Sequence, residues 1–184
     1  HTRCARDGKE TEYPFMNLND IASRVLDGTS KGLPSPGTVT PGSVREKGWN
    51  LLREDLTFPV MVLLDSAVEH NLRTMAKWCS ANGFLFAPHG KTTMCPQLYQ
   101  RQLGAGAWGI TAATAQQAMV MVKHGLKRIL IANQLVGRSN IRSIASAMNA
   151  DPGLEIHAIL DSVEGVQHLA GHLKEACAKR PLKV

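Results

Sequence analysis

The chain has 184 residues, 43% of them apolar and 20% charged, with a formal net charge of +6. This is the composition of a folded globular chain, long enough for one sizeable core, and it excludes a disordered polyelectrolyte. The basic residues are scattered and only three tryptophans are present, so nucleic-acid binding is not expected; the charge better suits anionic small molecules, phosphorylated ones included.

Cys4, Cys79, Cys95 and Cys177 are widely spaced, with no C-x-x-C pair and no repeating framework, which reads as reduced thiols in a cytoplasmic protein. No apolar run approaches the roughly 20 residues needed to span a bilayer. The first residues, among them Arg3, Arg6, Asp7, Lys9 and Glu10, contain no secretory hydrophobic segment. No membrane association is expected. The sequence opens on His1, which is compatible with a start lying upstream.

In chain order, residues 1–15 are polar and irregular and read as a mobile terminus. Residues 17–26 predict a short helix capped by Asn17 or Asn19, with Ile21, Val25 and Leu26 on one face. Residues 28–44 are too rich in Pro and Gly for a packed element and read as an extended arm on the surface or on a partner subunit. Residues 1–47 are therefore an N-terminal arm and linker, and residues 48–184 the folded part.

From residue 58 the pattern becomes cyclic. Residues 59–65 (PVMVLLD) are a continuous apolar run ending in an acid, as expected of a strand buried on both faces of a parallel sheet. Ser66 caps a helix that Asn82 and Gly83 stop. Strands are then predicted at 84–87, 107–111, 128–132 and 154–160, and helices at 96–103, 114–123, 139–148 and 162–179. Residues 181–184 look like the start of a sixth strand. Repeated βα units of this kind predict a parallel α/β fold. A doubly wound sheet would be complete at this length, whereas a TIM-type (β/α)₈ barrel takes about 250 residues. The end at Val184, in mid-strand, favours a barrel truncated to about five βα units.

Three candidate sites have simpler readings. Gly104-Ala105-Gly106-Ala107-Trp108-Gly109 matches G-x-G-x-x-G, but a dinucleotide site needs these glycines to follow a strand and open a helix. Here they follow a predicted helix and open a strand, and Lys123 and His124 stand where an acidic residue belongs, so Gly104 and Gly106 are helix stop and turn. His168 and His172 share a helix face without the glutamate of H-E-x-x-H and read as solvated side chains. His157 lies within a strand and has no assigned role. Asp65 and Asp161 end strands, with helix capping as the default.

The loop 87–93 (APHGKTT) is different. Pro88 and Gly90 end a short apolar strand, so Lys91 is presented at the carboxyl end of a strand, where parallel α/β folds build their sites. A lysine condenses with an aldehyde only through its neutral amine, and a partly desolvated cleft favours that form. His89 could tune the charge balance or contact a cofactor ring, and Thr92 and Thr93 could bond phosphate or substrate. The alternatives are a solvated loop lysine, a turn-stabilising histidine and helix-capping hydroxyls.

The segments PVMVLLDSAVEHN (59–71), APHGKTT (87–93), GAWGIT (106–111) and IANQ (131–134) resemble, in this order and spacing, the N-terminal barrel half of fold-type III pyridoxal-phosphate enzymes. The D-threonine aldolase and D-serine dehydratase branch, which includes amino acid deaminases, is the nearest; the alanine racemase N-terminal domain is a more distant cousin. The resemblance covers about residues 48–184, and P-H-x-K-T is its most specific part. It implies that Lys91 matches the lysine that condenses with pyridoxal phosphate, with His89 beside it and with Thr92, Asn133 and Gln134 toward the cofactor.

The activity implied is that of a lyase on D-hydroxy amino acids, by loss of a β-hydroxyl or by Cα–Cβ cleavage. The family's later strands, phosphate-binding groups and divalent-metal ligands lie outside this chain, so impaired activity is the corresponding expectation; a homodimer is compatible with the full-length protein. A catalytically inactive remnant that binds pyridoxal phosphate weakly or serves as an interaction module is the alternative. An amino acid racemase is a weaker one.

Overall fold

The computed structural model describes residues 16–34 and 37–184. The terminal segment 1–15, Cys4 included, lies outside the described residues, as do Ser35 and Pro36. The chain divides into two compact units, Asn17–Asn71 and the body formed by Leu72–Val184.

In the unit Asn17–Asn71, helix α1 is a single turn, Asn19–Ala22, shorter than the helix predicted over 17–26. Leu26 is drawn instead into antiparallel pairing with Val39, each N–H donating to the other's carbonyl at 2.7 and 2.8 Å. The Pro- and Gly-rich segment thus folds back on the residues before it. Gly32, at φ +86°, lies against Val60, where a Cβ would come within 2.6 Å of the Val60 Cγ2. Two 3₁₀ turns follow, Val44–Lys47 and Leu51–Arg53.

The run predicted as the first strand, 59–65, is not a strand. Residues 60–64 have no strand partner among the described residues, and the side chains from Met61 to Leu64 are 49% to 88% exposed. Apolar character alone does not make a strand; the backbone needs a neighbour to pair with.

Helix α2 (Asp65–Asn82) begins at Asp65, an acid in the first turn, which suits the positive end of the helix dipole. It ends in a Schellman stop: Gly83 at φ +74° donates to Ser80 O, and Phe84 N–H reaches back to Cys79 O at 2.9 Å. The Trp78 and Phe84 rings, 5.5 Å apart, supply the apolar contact that accompanies the motif.

Three strands form the sheet: β1 (Ile110–Ala112), β2 (Arg128–Gln134) and β3 (Glu155–Ile159), parallel and in chain order. The predicted strand at 84–87 forms no bridge itself, the bridge there lying just beyond it, and the one at 181–184 contributes a single bridge. His89 lies parallel to Thr111, with Trp108 N–H donating to Phe86 O and Thr111 N–H to Pro88 O. Lys183 lies opposite His157, and Ala158 N–H donates to Lys183 O at 3.0 Å. Phe84 is already spent on the α2 stop, and Leu85 is 71% exposed, so the first of these segments pairs only at its carboxyl end.

The helices are α3 (Pro96–Gly104), α4 (Ala115–Lys123), α5 (Arg138–Ala150) and α6 (Val163–Glu175). Since α4 packs on α5 and α5 on α6, these three share one face of the sheet. The alternation in β2 and β3 fits this, with Ile129, Ile131, Ile156 and Ala158 buried. Met121, Ile141, Ile144 and Leu169 of the helices are buried too, and each buried Ile, Leu or Met side chain contributes about 1.5–3 kcal/mol by leaving water. The architecture is thus mixed α/β around a small parallel sheet.

The glycine-rich stretch is a helix stop. Gly106 at φ +104° donates to Leu103 O, and Ala107 N–H to Gln102 O, the Schellman pattern again, before β1 begins. The α5 to β3 turn is held by Arg180, whose guanidinium donates to the carbonyls of Met148, Asp151, Pro152 and Leu154.

The sheet face opposite the helices carries an ionic cluster centred on Glu155. It receives His157 Nε2 at 2.9 Å and Lys183 Nζ at 2.5 Å, with Arg128 3.4 Å away. Burial alone would raise the Glu155 carboxyl, but the Lys183 and His157 hydrogen bonds and the Lys183 and Arg128 charges outweigh it and hold it at about 2. The His157 ring also packs edge-on to Trp108 at 5.0 Å. The His168 and His172 rings meet edge-on at 4.5 Å, and His172 is bonded to Glu175. No helix among the described residues is long and apolar enough to cross a membrane.

Candidate active site at the carboxyl edge of the sheet

Because the strands are parallel, the loops after 86–89, β1, β2 and β3 open at one edge of the sheet. The N-termini of α4, α5 and α6 point to the same edge and make it favourable for anions. The loop with Lys91 is the most heavily constrained of these. Gly90 is buried, and a Cβ on it would lie 2.4 Å from Ile110 Cγ2 and 2.7 Å from Tyr99 Cε1. Only glycine lets the chain pass between β1 and α3 here.

Gly90 and Lys91 both donate their backbone N–H to Thr111 O, at 2.9 and 3.1 Å. Gly90 O accepts from Met94 N–H and from the Tyr99 hydroxyl, at 3.0 and 2.8 Å. Tyr99 is fully buried, and desolvation, with the nearby Cys95, pushes its hydroxyl up to about 12, so it stays a donor. Met94 closes the loop at φ +42°, a left-handed conformation costly for a side chain with a Cβ and often found beside functional sites.

On this fixed loop, His89, Lys91 and Thr92 are exposed. Thr93 is exposed as well and also hydrogen-bonds Tyr99. Asn133 and Gln134 lie at the end of β2, where the β2–β3 register shifts between Ile131 and Gln134 and turns Asn133 outward. Gln134 Nε2 donates to Asp161, which therefore does not cap α6; Ser162 does, accepting from Gly165 N–H. The two groups share the sheet edge but not a contact shell. β1 runs between them, a separation of two strand spacings, or about 10 Å.

No family model matches the chain. It is 32% identical over 111 residues to a D-threonine aldolase of Arthrobacter sp., an alignment covering 60% of this chain and 27% of that protein. A 3-hydroxy-D-aspartate aldolase of Paracoccus denitrificans is 25% identical over 118 residues, 63% of this chain and 30% of the other. The crystal structure of D-threonine aldolase from Filomicrobium marinum superposes with a TM-score of 0.62 at 30% identity, over 67% of this chain and 33% of that one. The chain is homologous to these aldolases. A mutant D-threo-3-hydroxyaspartate dehydratase in its metal-free form extends the group, with a TM-score of 0.59 and 27% identity over 65% of this chain and 31% of that one. The chain thus spans about a third of the length of the aldolases and dehydratase it matches.

Beyond the residues the sequence singles out, Tyr99, Thr111 and Gln117 hold the loop of this aldolase homologue. Gln117 has a legible signal: Thr114-Ala115-Gln116-Gln117 has the capping-box spacing, and Thr114 Oγ1 accepts from Gln117 N–H at 3.2 Å. Tyr99 has none, because a tyrosine in a helix reads only as core.

Proposed function

We propose that the chain is part of a pyridoxal-phosphate-dependent lyase acting on D-3-hydroxy amino acids, with Lys91 as the lysine that takes the cofactor's aldehyde. One observation carries the reading. Lys91 is an exposed amine on a loop whose backbone is fixed by Gly90, Thr111 and Tyr99, at the carboxyl edge of a parallel sheet. The homology to D-threonine and 3-hydroxy-D-aspartate aldolases supports the substrate class.

The residues present fit the cofactor at its aldehyde end. Lys91 offers the amine, His89 lies two residues away on the same exposed turn, and the helix N-termini at this edge suit a phosphate. When bound, pyridoxal phosphate supplies an electron sink for charge developing at the α-carbon. The work assigned to this chain is to keep the Lys91 amine on a fixed backbone, to set His89 and Thr92 within hydrogen-bonding range of the bound group, and to turn Asn133 toward it from the end of β2. A TIM-type barrel is the architecture proposed for the whole enzyme, since the sheet here follows chain order with its helices on one face.

The test is to incubate the chain with pyridoxal phosphate, reduce with borohydride and map the adducts by mass spectrometry. Preferential labelling of Lys91 is expected. Labelling spread evenly over exposed lysines sinks the assignment.

A further inference from the structure

The Lys91 loop is hydrogen-bonded to α4 through the Gln117 side chain, which uses both ends of its carboxamide. Gln117 Nε2 donates to Lys91 O at 3.1 Å, while Gln117 Oε1 accepts from Ala113 N–H at 2.8 Å. The two partners fix the amide's orientation: a carbonyl requires the nitrogen, and an N–H requires the oxygen. Lys91 is therefore held on both sides of its Cα, its N–H by Thr111 O and its carbonyl by Gln117. Only its side chain is left to move.

We infer that Gln117 is a positioning residue for the Lys91 amine, tying the loop that carries the lysine to the β1–α4 turn. The inference rests on the reading of Lys91 as the cofactor lysine. Gln117 acts through the Lys91 backbone and does not touch the reacting atoms. No other residue type serves both partners at this reach. Glutamate keeps the acceptor for Ala113 but has no hydrogen for the Lys91 carbonyl at neutral pH; methionine keeps the stem and loses both bonds. Gln117 is half-buried at the start of α4, in the first turn, so either side chain can be accommodated without opening a core cavity.

The experiment compares the 184-residue chain with its Gln117→Glu and Gln117→Met variants in two measurements. The first is the pyridoxal phosphate concentration giving half-maximal borohydride-fixed labelling at Lys91, with exposed Lys77 and Lys174 as internal references. The second, without cofactor, is amide hydrogen exchange of the peptide covering 90–95. The expected result is that Lys91 in the unaltered chain labels at lower concentration than either reference. Both variants should raise its half-labelling concentration about five-fold, the scale of one neutral hydrogen bond, with the references unmoved and exchange of 90–95 accelerated. If Gln117→Glu labels Lys91 as the unaltered chain does, the positioning role is wrong while the cofactor reading stands. If the unaltered chain labels all three lysines alike, both fall. If neither variant retains the native circular dichroism, Gln117 is architectural and the positioning role is discarded.

Discussion

Residues 60–64 and residues 129–132 are apolar runs of similar length, and sequence pattern treats them alike. In β2 the second run is paired on both sides, by β1 and β3, and Ile129 and Ile131 are buried against the helices. The first run has no partner strand among the described residues, and Met61 is 88% exposed. What separates them is non-local. A βα unit supplies β2 with neighbours on either side; no described residue of the unit Asn17–Asn71 does so for 60–64. The largest expected effect follows from this contrast. Ile129→Ala should cost about 2–5 kcal/mol in chemical denaturation, as a core truncation leaves a cavity. Leu64→Ser should stay within about 0.5 kcal/mol, as at a surface position. A Leu64→Ser cost equal to that of Ile129→Ala would break the comparison and mean that 60–64 is packed in solution.

The same contrast explains which parts of the fold were legible. Helices α2, α3, α4 and α6 rest on local signals: Thr114 and Ser162 as caps, Gly83, Gly106 and Gly125 as stops. The order of the sheet follows from repeated βα units. Whether 60–64 or 84–87 pairs along its length depends on distant backbone, and so does the loss of Leu26 from α1 to Val39; no window of sequence contains that information. At the site, Pro88 and Gly90 announced a turn that presents Lys91. That Gly90 is required by Ile110, and that Gln117 reaches from the first turn of α4 to Lys91 O, are contacts between separate βα units.

Gly90→Ala probes the paired region where it meets the site. The new methyl meets Ile110 and Tyr99 at distances real Cβ atoms do not tolerate, and β1 and α3 are both well packed. Overpacking of this kind costs about 1–3 kcal/mol. Relief by backbone shift moves the peptide that donates to Thr111 and accepts from Tyr99. Lys91 labelling by pyridoxal phosphate should therefore fall even at temperatures where the variant is fully folded. A variant that is destabilised but labels Lys91 normally would show that the loop's geometry is not what presents the amine.

Between the fully paired β2 and the unpaired 60–64 stands the segment at Lys183, joined to β3 by a single bridge and by its ion pair with Glu155. The folded-state Glu155 carboxyl, at about 2, lies below its ordinary 4.5, so as pH falls the unfolded chain takes up this proton first. The stability it contributes is fully present above about 4.5 and is lost as pH drops toward 2. The lowered carboxyls of Asp151 and Glu175 act in the same direction, so acid sensitivity of the whole chain does not isolate Glu155. The Glu155→Gln variant does. Its deficit against the unaltered chain should be about 1 kcal/mol near neutral pH, modest because the cluster is partly exposed and screened, and should vanish near pH 2. Raising ionic strength should shrink it at neutral pH. A deficit that persists unchanged into acid would mean that Glu155 supports the Lys183 segment by packing, and that this edge of the sheet is held as β2 is held, without help from charge.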